Sequence, residues 1–182
     1  SESFRRLLNL FTIQLDPVTL KVLLPIAISF YTFQTLSYTI DVYRGKIKPE
    51  RHLGIFAVYV SFFPQLVAGP IERASHLIPQ IRRKKPFNPT KFTDGLKLIG
   101  WGFFKKLVIA DRIGTFVDPI YSNPSLLPHE HLLFATILFG IQIYADFSGY
   151  TDIARGSAKM MGIDLVENFK RPFYAKSVAE FW

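Results

Sequence analysis

VLLPIAISFYTFQTLSYTI (residues 22–40) and LGIFAVYVSFFPQLVAGPI (residues 53–71) are two runs of nineteen positions without a charged side chain. Each matches the roughly 20 apolar residues that a helix needs to cross a bilayer core. The second half of the first run carries Gln34, Ser37, Tyr38 and Thr39. That half is too polar to face lipid all round, so one side is expected to pack on other helices or to line a cavity. In the second run Pro64 interrupts the hydrogen-bond ladder and Gly69-Pro70 ends it. Backbone groups freed at membrane depth must be satisfied by protein or by a watery cavity, which puts this segment inside a bundle. Its length favours a full span, whereas a re-entrant turn at Pro64 would place the flanking basic loops on one side; both readings stay open.

Outward from these runs, the charges fall in clusters. The chain is 49% hydrophobic and 15% aromatic, with eighteen Phe, yet 20% of it is charged and the net charge is +8. DVYRGKIKPERH (41–52) separates the two apolar runs, and the stretch from Glu72 to Lys91 holds Arg73, Arg82, Arg83, Lys84, Lys85 and Lys91. A nucleic-acid binder carries its Lys and Arg on a solvated face beside a modest core. Basic loops between uncharged runs are instead the pattern of cytoplasmic connections, so no nucleic-acid partner is expected. With Pro79, Pro86 and Pro89, residues 72–91 read as an irregular cytoplasmic loop. Phe92–Ile113 is interrupted by charge and reads as an interfacial or partly buried helix around Trp101. Gly114–His131 reads as a loop, and Leu132–Ala145 as an apolar segment that approaches span length when counted on to Thr151. The chain has no Cys and no fixed-period repeat, and no signal peptide is expected within it. The fold expected is all-α, a polytopic helical membrane protein with kinked or re-entrant segments, its structural kinks at Pro64, Gly69 and Pro70.

The stretch with most chemistry is QIYADFSGYTDIARGSAKMMG (142–162). Here Asp146 and Asp152 end a hydrophobic segment and open an amphipathic helix that Ser148 or Thr151 would cap, with Asp152 complementing its dipole. Asp152 and Arg155, three apart, are placed to pair. Asp146 follows a long uncharged run and is costly in hydrocarbon, so it must face water, a partner or a site. His52, His76, His129 and His131 lie in loops or at their edges, and the His129/His131 pair is a weak metal signal, so no metal site is expected. No nucleophile elbow, phosphate loop or paired catalytic carboxylates occur. An ion-coupled transporter would use Asp146 as a relay, but its usual inverted repeats are missing.

LPIAISFYTFQTLSYTIDVYRG (24–45), FFPQLVAGPIERASHLIPQI (62–81), GFFKKLVIAD (102–111), the 142–163 motif and ENFKRPFYAKSVAEFW (167–182) resemble, in order, signatures of the membrane-bound O-acyltransferase (MBOAT) family. Within it the resemblance is greatest to the bacterial alginate O-acetylation proteins and the D-alanyl transfer proteins of teichoic acid. It implies a ring of tilted helices around a tunnel, in a multi-pass protein of the bacterial inner membrane. A donor, acetyl-CoA or an acyl carrier, would approach from the cytoplasmic face as substrate, with no bound cofactor. A polysaccharide, or partner acetylation proteins, would approach from the outer face, and membrane lipid would surround the whole. A histidine would act as general base toward the acceptor hydroxyl.

The resemblance carries over Gln142, Tyr144, Asp146, Ser148, Tyr150 and Asp152 as tunnel residues, and Glu180 and Trp182 as the motif that precedes the family's histidine. None of the four histidines here sits in a family histidine motif, so no catalytic residue is assigned; the base is expected to follow Trp182. Residues 1–182 are accordingly expected to be an internal part of one MBOAT domain, with helices upstream and the histidine half downstream, and to be inactive alone. The competing readings are an ion-coupled transporter and a non-catalytic assembly subunit.

Overall fold

A computed structural model describes residues 28–65, 69–70, 72–122, 128–168 and 172–181. Residues 22–27, including Pro25, and Trp182 lie outside the described residues. Helices α1 (Ile28–Tyr43), α2 (Leu53–Val60) and α3 (Ala74–Arg82) come first. Next, α4 (Pro89–Phe103), a π-helical segment (Phe104–Ala110) and α5 (Asp111–Ser122) form one uninterrupted run. It is followed by α6 (His129–Met160) and the short α7 (Val178–Phe181). Among the described residues there is no strand, in keeping with the all-α expectation.

The α4–π–α5 run lies antiparallel against α6: Gly95 meets Gly156, Gly102 meets Gly149, Gly114 meets Gln142, and the Tyr121 hydroxyl bonds Thr136. The pairing is backbone to backbone. A methyl placed on Gly102 would stand 2.6 Å from the Gly149 carbonyl oxygen, and one on Gly149 would stand 2.8 Å from that of Gly102. Gly95 and Gly156 repeat the arrangement one heptad away, at 2.7 Å and 2.6 Å. Glycine in a helix costs roughly 1 kcal/mol relative to alanine. Here the cost is offset by close approach, since small residues let two helices pack at van der Waals contact.

Helix α6 is the one described helix long and apolar enough to cross a membrane, with a mean hydropathy of 1.5 over its apolar window. Only 22% of that window is buried, and Leu133, Phe134, Ile137 and Ile141 point away from the protein interior. Its 32 residues extend for about 48 Å at the α-helical rise.

The structure refines one sequence expectation and corrects three. Leu53–Ile71 does not form a continuous helix. Helix α2 stops at Val60, the residue four before Pro64, whose ring would clash with the Val60 carbonyl. A 3-10 turn follows at Phe63–Gln65, and Gly69 returns so closely that a methyl on it would lie 2.5 Å from the Gln65 Cα. Pro70 is fully buried. The Tyr59 carbonyl, orphaned at the helix end, accepts hydrogen bonds from the Gln34 Nε2 at 2.9 Å and the Gln65 Nε2 at 3.1 Å. Buried amides thus satisfy the broken ladder, as the sequence required.

Second, residues 72–91 are not irregular throughout: α3 forms despite Pro79 because Ala74 and fully buried Leu77 pack with Tyr59, Phe62 and Ala158. Third, Gly114–Ser122 is helical, held by Val117 in the core and by Gly114 against Gln142. Fourth, no helix begins at Ser148 or Thr151; α6 runs through both without a break. The helix ends that do occur at α1 and α6 share one device. Gly45 (φ 69°) and Gly162 (φ 78°) adopt left-handed backbone. Each is framed by paired bonds, Lys46 N–H to Asp41 and Gly45 N–H to Val42 in one, Ile163 N–H to Ala158 and Gly162 N–H to Lys159 in the other. This is the Schellman pattern.

The glycine contacts set an expectation. Gly149→Ala or Gly102→Ala should lower the stability of the protein by about 1–3 kcal/mol through overpacking against backbone. Gly140→Ala, where nothing lies within 4 Å, should be neutral or mildly stabilising. Thermal or denaturant unfolding of the detergent-solubilised full-length protein compares them; equal effects at the three positions would refute the close-packing role.

Candidate functional site

The π-helical segment sets the site. An α-helix widened to i→i+5 hydrogen bonding, visible in the Asp111 N–H bonding the Lys106 carbonyl, shifts the register of the side chains that follow, and such segments gather at functional positions. Here it carries Lys105 and Lys106 across Gly149. The missing Cβ of Gly149 leaves room for the Lys106 backbone and the Lys105 Cβ, 3.1 Å and 3.3 Å from where a methyl would stand. The two lysines therefore straddle α6 and reach opposite flanks of it.

On one flank Lys105 ion-pairs with Asp152 and donates a hydrogen bond to the Ser148 hydroxyl. Both charged side chains are nearly enclosed, at 13% and 12% exposure. Arg155 also approaches Asp152 at 3.6 Å, the three-residue pairing that the sequence indicated, and reaches Glu167 at 3.5 Å. On the other flank Lys106 pairs with Asp146 at 2.7 Å and with Asp111 at 3.2 Å. This second cluster is open: the Asp146 side chain keeps 47% of its surface. Asp146 thus has the partner that its position demanded, and Asp152 is an ion-pair acceptor and not a helix cap.

The remaining candidates separate. Gln142 packs its amide over Gly114, with its buried Oε1 lacking a hydrogen-bond partner among the described residues. Tyr144 meets the Phe173 ring edge-on at 5.5 Å, and Tyr150 is half-buried on α6. The Thr151 hydroxyl is buried without a partner among the described residues. Glu180 is on α7, where its carboxylate accepts from the Lys176 N–H at 2.7 Å and its own N–H donates to Ser177 at 3.1 Å. That is a local helix-start arrangement of the capping-box kind.

The histidines are committed elsewhere. His52 caps α2 by accepting from the Ile55 N–H, His129 and His131 lie in the first turn of α6, and His76 sits 2.8 Å from Glu72. Glu72 is wholly buried and also accepts from the Val166 N–H, tying the chain beyond α6 to α3. The site as described holds and orients charge; it has no histidine base of its own.

Lys105, Lys106 and the four close-packed glycines were not singled out from the sequence. Their signal was the seven-residue spacing of Gly95 with Gly102 and of Gly149 with Gly156, with the two lysines just after Gly102.

The described residues are helical throughout their regular structure, with one helix long and apolar enough to cross a membrane and ion pairs along it. No protein-family profile matches the sequence. It is 41% identical over 169 residues to the probable alginate O-acetylase AlgI of Pseudomonas putida, a match covering 92% of this chain and 34% of the relative. It is 33% identical to the peptidoglycan O-acetyltransferase of Helicobacter pylori (90% of this chain, 36% of the relative). It is 29% identical to the teichoic acid D-alanyltransferase of Bacillus subtilis (86% and 40%). The chain belongs to the membrane-bound O-acyltransferase family. It spans about a third of the length of the alginate O-acetylases it matches.

The enclosed pair yields a prediction. Asp152→Asn leaves the Lys105 ammonium enclosed without its counter-charge and should cost about 3–5 kcal/mol. Lys105→Met together with Asp152→Leu should recover most of that. A double-mutant cycle on denaturant unfolding of the full-length protein measures the coupling, and additive single effects would contradict it.

Proposed function

We propose that the whole protein is a membrane O-acyltransferase, multi-pass in the bacterial inner membrane, that transfers an acyl group to hydroxyls of a cell-surface or exported polysaccharide. Acetyl is the favoured group and an alginate-like polymer the favoured acceptor. One observation carries the reading: relatives similar over roughly nine-tenths of this chain are all named as transferring acetyl or D-alanyl groups, the first of them to alginate.

In this reading the chain supplies part of the tunnel wall. The broken α2 segment, buried Gln34 and the open Lys106–Asp146 cluster are suited to that role, since irregular backbone and intramembrane charge are tolerated where they line a passage. The acyl donor, acetyl-CoA or an acyl carrier, approaches from the cytoplasm and the polymer or partner acetylation proteins from outside. The general base is a histidine in sequence beyond Trp182, which Glu180 and Trp182 help to position. Asp146 then contributes through Lys106 by holding a fixed charge at the wall, and takes no part in bond making. Its pairing with Lys106 disfavours the ion-relay alternative, because a carboxylate bound to an ammonium is not a free proton carrier.

The test is acetylation of exported polysaccharide in a bacterial host deprived of its own acetylase and supplied with the full-length gene. Wild type should restore polymer-bound acetate. Asp146→Asn should lower it about tenfold at unchanged membrane abundance, the scale of a modest misplacement of reacting groups. Residues 1–182 alone should restore none. Full acetylation by Asp146→Asn would remove that residue from the site, and no acetylation by wild type on any envelope polymer would remove the reading.

A further inference from the structure

The turn from α3 into α4, together with the segment that follows α6, lines an open cavity of about 530 Å³ that shares no lining residue with the lysine–aspartate site. Its charge is unbalanced. Arg83, Lys85 and Lys91 line it against a single carboxylate, Asp164. Asp164 is taken up by Lys91 at 2.7 Å. Lys85 is held by the Gly162 carbonyl and the Gln80 Oε1, both neutral acceptors. Arg83 has no ion-pair partner among the described residues, whereas its neighbour Arg82 is satisfied outside the cavity by Glu50 at 2.6 Å.

The walls are fixed. Gln80 makes a reciprocal pair with the backbone of Asp164, donating to its carbonyl at 2.9 Å and accepting from its N–H at 3.0 Å. Buried Glu72 fixes both His76, which also lines the cavity, and Val166. Asn88, on the rim, caps α4 by accepting from the Lys91 N–H, so the positive end of that helix dipole faces the same space. Burial pushes the Lys85 ammonium below its ordinary range, and Lys91 and Arg83 push the same way while Asp164 opposes them. Exposed Phe87 supplies an apolar edge beside the cations.

We propose that this cavity is a binding site for a phosphate-bearing ligand. The guanidinium of Arg83 offers the planar fork that matches phosphate oxygens, Lys85 supplies a positioned point charge, and Lys91 can be shared from Asp164. An anion there completes the charge that the protein leaves uncompensated, and the Phe87 edge accommodates whatever apolar or ring portion carries the phosphate. The same chemistry is found in an anionic phospholipid headgroup and in a soluble diphosphate. The site rests on these residues alone and not on the transfer reading.

Purified full-length protein in neutral detergent is titrated, at fixed ionic strength, with inorganic pyrophosphate and separately with short-chain phosphatidylglycerol, phosphatidylcholine serving as the zwitterionic control. Saturable binding of pyrophosphate identifies a soluble source, and saturable binding of phosphatidylglycerol alone identifies the lipid. In either case Arg83→Gln and Lys85→Gln should each weaken binding about tenfold, the effect of losing one charge-assisted contact. Lys84→Gln, an exposed cation of the same run that does not line the cavity, should change it less than twofold. Arg83 is exposed and its side chain makes no hydrogen bond or ion pair among the described residues, so its variant keeps the test valid if the Lys85 variant unfolds. Equal loss with Lys84→Gln would reduce the effect to diffuse surface charge and overturn the site, as would the absence of saturable binding by both probes.

Discussion

The close approach of the α4–π–α5 run to α6, at Gly95 with Gly156 and Gly102 with Gly149, is the constraint on which the described structure depends. Side chains of any size at these positions would hold the two backbones apart. At the separation that glycine allows, a lysine leaving one helix meets an aspartate on the other without crossing open space. Lys105 and Lys106 are close enough to α6 to grip both its flanks because nothing projects from Gly149 between them. The charges in turn are tolerable on an otherwise apolar helix because each aspartate has its ammonium. Packing and electrostatics are one arrangement here, and Lys105 and Lys106, consecutive on one helix and so pointing to different sides of it, serve opposite flanks of α6.

The two flanks differ in a way that bears on function. The Lys105–Asp152 pair, with Ser148 and Arg155 around it, is enclosed and fully committed, the condition of a structural brace. The Lys106 cluster is half open, so a substituent on an approaching substrate or a neighbouring helix can exchange with it. The proposed role in a passage wall would call for both properties at once: rigidity behind the surface and polar capacity on it. The Pro64 break in the α2 region meets the same requirement by another route. Gln34 and Gln65 converge on the Tyr59 carbonyl, so buried amides answer that carbonyl at the interruption.

Much of this was legible in the residues. Long uncharged runs and clustered cations specify helices and a membrane, and Pro64 specifies where α2 must stop, because a ring that removes an N–H acts at a known distance along the chain. The need of Asp146 for a partner and the pairing of Asp152 with Arg155 also follow from local rules. The motif at 142–163 identified the family, which the named relatives bear out. Local rules failed where a neighbour distant in sequence overrode them. Pro79 and the prolines around it read as loop, yet α3 forms because Leu77 has a buried place against Tyr59. Ser148 and Thr151 read as caps, yet α6 continues through them because Lys105 and the facing glycines support it there.

The sequence by itself therefore determined the helical class, the family, the break at Pro64 and the requirement that each buried charge be answered. These depend on backbone sterics and desolvation, which act within a few residues. Which lysine answers which aspartate, that Glu72 ties α3 to Val166, and that Arg83, Lys85 and Lys91 converge on one cavity were decided only by tertiary structure. Those groups are separated by between two and nearly a hundred positions along the chain. Their meeting depends on the angle and distance at which helices pack, which glycine spacing permits but no single residue encodes.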